Sequence, residues 1–322
     1  MRPEGRSEES DVTSQRGSLR VSWWRGATGA LSLGVVLALP PIDVERTIGD
    51  GIVQRGAAVP ANVTVVRDVA YGADRKQRFD VYAPKGVRNA PVILMVHGGA
   101  WRIGDKRSRG VAENKVARWS RVGIIVISVN YRMLPGTDPV EQARDVARAL
   151  AAAQARLTEW GGDPNRVVLM GHSAGAHLVA LLDANPALAT ALGARAWLGA
   201  VILDSAALDI VQTMEHPHAA LYDAAFGTDR TYWREASPHH HLAAGAKPLL
   251  MVCSSRRRDS CRAARRLAAK ATSVGVRAEV LPVAKSHAAI DAQLGAPGVY
   301  TESVEAFLAS LDSSLASALN AR

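Results

Sequence analysis

Cysteine is almost absent from this chain: its 322 residues hold two, Cys253 and Cys261, close together in sequence. Neither falls in a spacing used to hold a metal, so no zinc or iron–sulfur motif is read here. In an oxidising compartment the two can pair, closing a short loop worth about 2.5 kcal/mol by loop entropy; two separate, half-buried thiols is the equal alternative. Aromatic residues are also few, at 5%, while the formal charge is +9. The arginines crowd the first 60 or so residues and residues 256–277, and no basic stripe is interleaved with aromatics. That pattern argues against nucleic-acid binding and for solvated surface arginine. Internal repeats are lacking as well, which removes solenoids and propellers. With 48% apolar residues the chain nonetheless has ample material for a core.

No uncharged stretch near the start reaches the roughly 20 residues that span a bilayer comfortably. Residues 1–15 are polar and without periodicity, and are expected to be disordered. Arg16, Arg20 and Arg25 then precede an uncharged apolar run ending at Pro41. A positive flank before a short apolar core is the pattern of a secretory signal, with Val36-Leu37-Ala38 as the processing site; an uncleaved membrane anchor is the rival. Residues 1–61 are therefore expected to be a disordered start, a signal or anchor at about 16–41, and a Gly/Pro-punctuated linker. Residues 62–322 form the predicted folded domain of an exported or membrane-anchored protein.

From residue 62 onward, strand and helix patterns alternate. Residues 63–69 and 78–82 read as an opening pair of strands. Residues 92–96 and 124–127 are continuous apolar runs, as in strands covered on both faces. Further strands are predicted at 167–170, 200–203, 249–252 and 278–283, and helices at 140–160, 263–274 and 301–319. Such alternation gives an α/β fold with a mostly parallel sheet and helices on both faces. In such sheets chemistry gathers at the carboxyl ends of the strands.

The most informative of those ends carries Gly171-His172-Ser173-Ala174-Gly175. An apolar strand, a sharp turn and a helix are what a nucleophile elbow requires, lifting the Ser173 hydroxyl clear of the sheet. After the strand ending at Val96 comes His97-Gly98-Gly99-Ala100-Trp101. Gly98, Gly99 and Ala100 can turn backbone N–H groups toward a developing oxyanion, with the amide of Ala174 as the second donor. His287, just past the last strand, is positioned to take a proton from Ser173. Asp259, beyond the strand at 249–252, is the preferred orienting carboxylate, with Asp204 and Asp209 as rivals. The His239-His240-His241 run lacks a carboxylate or cysteine in register, so no metal is expected. Residues 208–232 are the expected lid.

These stretches, with Gly104-Asp105-Lys106, Asn130-Tyr131-Arg132 and Ser237-Pro238, resemble the α/β-hydrolase fold. The chain is similar within it to esterases and lipases with an HGGxW loop, of the hormone-sensitive-lipase-like carboxylesterase and kynurenine formamidase kinds. The resemblance implies a serine hydrolase acting on a small-molecule ester through an acyl-enzyme, without a cofactor. A formamidase and a catalytically inactive binding protein are the alternatives. The chain departs from the family at Cys253 to Arg258, where a His-Gly-Asp type sequence is usual, and at Ser286-His287, where Asp-His is usual.

Overall fold

The computed structural model describes residues 59–320. The proposed signal or anchor at 16–41 lies outside the described residues, as does the linker up to residue 58. Among the described residues no helix is long and apolar enough to cross a membrane.

Among the described residues eight strands form one sheet: β1 (Val63–Ala70), β2 (Arg78–Pro84), β3 (Ala90–Val96), β4 (Ile125–Val129), β5 (Gly162–His172), β6 (Gly199–Leu203), β7 (Leu249–Ser254) and β8 (Ala278–Val283). Their order is β1-β2-β4-β3-β5-β6-β7-β8. The pairs β1–β2 and β2–β4 are antiparallel, and every pairing from β4 through β8 is parallel. This is the α/β-hydrolase fold.

The continuous apolar runs follow from burial on both faces. Along β3, Val92, Leu94 and Val96 enter one core, while Ile93 and Met95 enter the other. Helices α2 (Pro139–Arg156), α3 (Ala174–Ala184) and α9 (Ser260–Ser273) cover the first face. The second is covered by α1 (Glu113–Trp119), α10 (His287–Ala292), α11 (Val299–Ala309) and α12 (Ser313–Asn320). Short helices α4 (Pro186–Thr190), α5 (Ile210–Met214), α6 (Ala220–Phe226), α7 (Arg230–Glu235) and α8 (Pro238–His241) connect the later strands.

The helix predicted at 301–319 is two helices. Asp312 breaks it by capping α12, its Oδ1 accepting from the Ser314 amide at 2.8 Å and the Leu315 amide at 3.3 Å. Cys253 and Cys261 form a disulfide with a Cα–Cα distance of 5.0 Å, tying the end of β7 to the first turn of α9.

Candidate active site

Ser173 sits between β5 and α3 with φ 54° and ψ −116°, a conformation L-residues rarely adopt. Its amide donates to the Leu203 carbonyl at 2.9 Å, which docks the turn onto the end of β6. Glycine is obligatory on either side. A Cβ on Gly171 would come 2.4 Å from the Gly175 carbonyl oxygen, and one on Gly175 would come 2.4 Å from the carbonyl oxygens of Val96 and His97. Any side chain there would push α3 off the sheet.

His287 opens α10, whose cap Ser286 accepts the Ala289 amide at 3.2 Å. Its Nε2 lies 2.9 Å from Ser173 Oγ and its Nδ1 lies 2.6 Å from Asp204 Oδ2. The imidazole also packs on His172, with ring centroids 4.5 Å apart, and His172 Nε2 donates to the His287 carbonyl at 3.0 Å. Burial pushes the His172 pKa down to about 4, so it supports His287 as a neutral ring. Behind it, Asp291 is held by the buried Lys115 ammonium at 2.7 Å.

Asp204 follows β6 directly, with φ 52° and a fully buried side chain. Its Oδ1 accepts from the Ser254 amide at 2.7 Å and from the Ser260 hydroxyl, and its Oδ2 accepts from His287 Nδ1 and from Arg257 Nη1 at 2.9 Å. Burial alone would raise its pKa. The bonds from His287, Ser260 and Ser254 and the charge of Arg257 outweigh that and hold the carboxyl well below the usual range.

The expected carboxylate, Asp259, is not at His287. It caps α9, with Oδ1 on the Ser260 amide at 2.8 Å and Oδ2 on Arg257 Nη2 at 3.0 Å, and its side chain is 51% exposed. The reason is the start of α9: a residue whose own carboxylate is spent on the helix's first amide points along the helix rather than back across the sheet. Asp209, the other rival, caps α5 through the Gln212 amide and pairs with Arg266 at 3.0 Å. Among the residues missed as contributors are Ser254, Arg257 and Ser260, which all converge on Asp204. The signal for Asp259 as a helix cap was present in Asp259-Ser260 ahead of a helical pattern.

The loop after β3 lies against the elbow: a Cβ on Gly98 would come 3.0 Å from Ser173 Cβ. Gly99, Ala100 and Trp101 follow with φ of 123°, 51° and 59°. Three successive left-handed residues turn the chain sharply, and its far side is tied down. The Trp101 carbonyl accepts from Gln142 Nε2 and from the Leu134 amide, both at 2.9 Å, and Trp101 Nε1 donates to His177 Nδ1 at 3.1 Å. His177 in turn donates from Nε2 to the Ala236 carbonyl at 2.7 Å, and burial lowers its pKa to about 4, which keeps it a neutral acceptor for Trp101. Asp105 ties the loop down from below, accepting from Asn130 Nδ2 at 2.7 Å. Ala174 begins α3, and the first amides of a helix have no partner within it.

The segment expected to be a lid is α5, α6 and α7. Phe226 is buried against Trp101, with ring centroids 4.9 Å apart, and Tyr222 packs on the same indole at 5.9 Å. Between this segment and α9 lies a cleft of about 800 Å³, lined by residues that include Pro217, Tyr222, Asp259, Arg262 and Arg266. A shallower hollow of about 440 Å³, lined by Val87 to Pro91 and Ser313, sits at the opposite ends of the strands. His239 and His240 of the triple-histidine run do meet a carboxylate. Asp209, His239 and His240 present ligand atoms within 4.8 Å of one another. That carboxylate already carries the Arg266 guanidinium and the Gln212 amide, which leaves a poor donor set for a cation.

A family model described as BD-FAE matches residues 79–259. A probable isoprenylcysteine alpha-carbonyl methylesterase from Oryza sativa subsp. japonica is 31% identical over 158 residues, 49% of this chain and 35% of that protein. Esterase LipQ of Mycobacterium tuberculosis (strain ATCC 25618 / H37Rv) is 38% identical over 128 residues, 38% of this chain and 30% of that protein. The chain thus spans about a third of the length of these curated relatives. Among solved structures, a truncated carbohydrate esterase from gut microbiota superposes with a TM-score of 0.69 at 18% identity, over 80% of this chain and 99% of the other. Thermogutta terrifontis esterase 2 superposes with a TM-score of 0.63 at 20% identity, over 79% of this chain and 96% of the other. At these identities the likeness is one of fold.

Proposed function

Since the chain belongs to the BD-FAE family, and its described part has the α/β-hydrolase fold, we propose that it is a serine hydrolase cleaving carboxylic esters of small or medium acyl groups. The observation that carries this reading is the chain of contacts from Ser173 Oγ to His287 Nε2 at 2.9 Å and from His287 Nδ1 to Asp204 at 2.6 Å. In it Ser173 Oγ attacks the ester carbonyl as its proton passes to His287 Nε2, and buried Asp204 holds the Nδ1–H tautomer and stabilises the imidazolium. The backbone N–H groups of Gly99, Ala100 and Ala174 receive the oxyanion, with Gly98 giving the turn its close approach. Collapse of the tetrahedral adduct expels the alcohol, which takes the proton from His287 and leaves an acyl-serine. Water, deprotonated by the same imidazole, then releases the acid.

The cleft beside α6 and α9 is lined by Tyr222, which packs on Trp101 of the loop after β3, and by none of Ser173, His287 or Gly98 to Ala100. The names of the relatives, esterases and methylesterases, support an ester over an amide. A hormone-sensitive-lipase-like kinship is supported by the His97 to Trp101 loop alone, and a formamidase would use the same machinery with a different pocket. Export is part of the proposal, supported by the arginine-flanked apolar run and by a disulfide of the kind that persists in oxidising compartments.

One experiment addresses these points together. Full-length protein is expressed in a bacterial host, recovered from the exported fraction, and assayed on p-nitrophenyl esters of graded chain length beside N-formylkynurenine. Its N-terminus should begin near Leu39. Short and medium esters should be turned over, and Ser173→Ala should lower kcat by on the order of 10⁴. Near-normal ester turnover by the folded Ser173→Ala variant, or failure of Ser173 to react with a fluorophosphonate, would contradict the mechanism.

A further inference from the structure

Every donor to the Asp204 carboxylate among the described residues, other than His287, comes from a single short segment. Ser254, Arg257 and Ser260 supply them, and the Cys253–Cys261 disulfide closes that segment at its two ends. Ser254 is anchored independently, its hydroxyl donating to the Lys285 carbonyl at 2.6 Å. Arg257 is the charged member. Its Nη1 lies 2.9 Å from Asp204 Oδ2, 3.3 Å from the Asp204 carbonyl and 2.8 Å from His287 Nδ1, while its Nη2 is held by Asp259 at 3.0 Å. We propose that this disulfide-closed loop is a positioning element for the triad carboxylate, with Arg257 as the residue that both fixes Asp204 and sets how readily His287 takes up a proton. The inference rests on the triad reading given above.

A guanidinium only donates hydrogen bonds. In the tautomer that serves Ser173, His287 Nδ1 also donates, to Asp204, so the 2.8 Å contact between Nη1 and Nδ1 is a cation set beside an imidazole that must itself become a cation. Asp204 favours the imidazolium and Arg257 opposes it. The two charges act against each other at Nδ1, and removing the guanidinium leaves the carboxylate unopposed there.

The other ionisable groups around this point do not duplicate Arg257. His172 on β5 is held neutral by burial. Asp291 on α10 is paired with Lys115 on α1. Tyr222 on α6, raised to about 12, and Tyr300 on α11, raised well above 10, are uncharged at neutral pH. Asp259 is the exposed counter-ion that keeps Arg257 in register. The aspartate expected to orient the imidazole thus orients the arginine instead.

The test is the acid limb of the pH profile of kcat/KM on a p-nitrophenyl ester, with the full chain. Arg257→Gln removes the cation and should move that limb to higher pH by about one unit, the effect of removing a like charge at this range. Arg257→Met is the second uncharged variant should the glutamine form fail to fold. Arg257→Lys keeps the charge and should hold the limb within about 0.3 unit of the parent. Cys253→Ala with Cys261→Ala should lower kcat by about tenfold, as expected of a carboxylate less well held. A purely structural role would lower kcat in the arginine variants without moving the limb. An unmoved limb in the uncharged variants, or an equal displacement in Arg257→Lys, overturns the proposal. Turnover that survives Ser173→Ala would instead sink the hydrolase reading on which it rests.

Discussion

Asp204 and Asp259 lie beyond the ends of adjacent parallel strands, β6 and β7, yet the fold treats them in opposite ways. Asp204 is taken out of water completely and surrounded by donors from two other segments of the chain. Asp259 stays half in solvent, capping a helix and pairing with an arginine. A surface ion pair of the second kind contributes little. The first kind is expensive to bury and is stabilised only because its hydrogen bonds converge. The difference lies in how many donors face each carboxylate, and it sets what each can do for an imidazole.

A third aspartate sharpens that comparison. Asp183, in α3, is as buried as Asp204 and accepts from Trp197 Nε1 at 2.6 Å. There burial outweighs the Trp197 bond and the Lys247 backbone amide and pushes the pKa up to about 7. Because the folded value is raised above the unfolded one, the folded state binds the extra proton between about pH 4 and 7. The associated stability is full below the unfolded value of ~3.9 and is lost as pH rises through about 7. Asp183→Asn should remove most of this fall, roughly 4 kcal/mol between pH 4 and 8. Urea midpoints measured across that range would check it, and an unchanged slope would break the contrast with Asp204.

A smaller effect is expected where one donor is removed from the well-held carboxylate. Ser260→Ala leaves Asp204 Oδ1 with the Ser254 amide alone and deletes a hydrogen bond to a charged group, worth about 1.5–3 kcal/mol where fully realised. Since His287 and Arg257 still hold Oδ2, kcat should fall by only about tenfold. No change in kcat would show that the donors around Asp204 are not acting as a set.

The parts of the site that were legible in the sequence are those decided locally. The elbow is written in five consecutive residues after an apolar strand, because Gly171 and Gly175 answer to steric contacts within one strand–turn–helix unit. His287 stands immediately past β8, where strand-end position alone brings it over the sheet. The loop proposed to receive the oxyanion likewise follows β3 without interruption. The carboxylate was not legible in this way, since its partners Ser254, Arg257 and Ser260 lie some fifty residues further along the chain and reach Asp204 only through the β6–β7 pairing. The same is true of the carboxylate beside the histidine run: Asp209 is brought to His239 and His240 by hydrogen bonds from the His239 amide to the Leu208 carbonyl at 2.9 Å and from the Ile210 amide to the Ser237 hydroxyl at 3.1 Å, not by spacing. The break between α11 and α12 was local, but its signal, one capping aspartate inside a helical pattern, is weak beside the periodicity around it.

Whether Asp204 or Asp259 completes the proposed triad is decided by kcat/KM of Asp204→Asn and Asp259→Asn on one p-nitrophenyl ester, each confirmed folded by its thermal transition. Asp204→Asn should lose on the order of 10⁴, because asparagine stabilises the wrong tautomer of His287, and Asp259→Asn should change by only a few-fold. Equal losses in the two variants, or a larger one in Asp259→Asn, would contradict the assignment of Asp204.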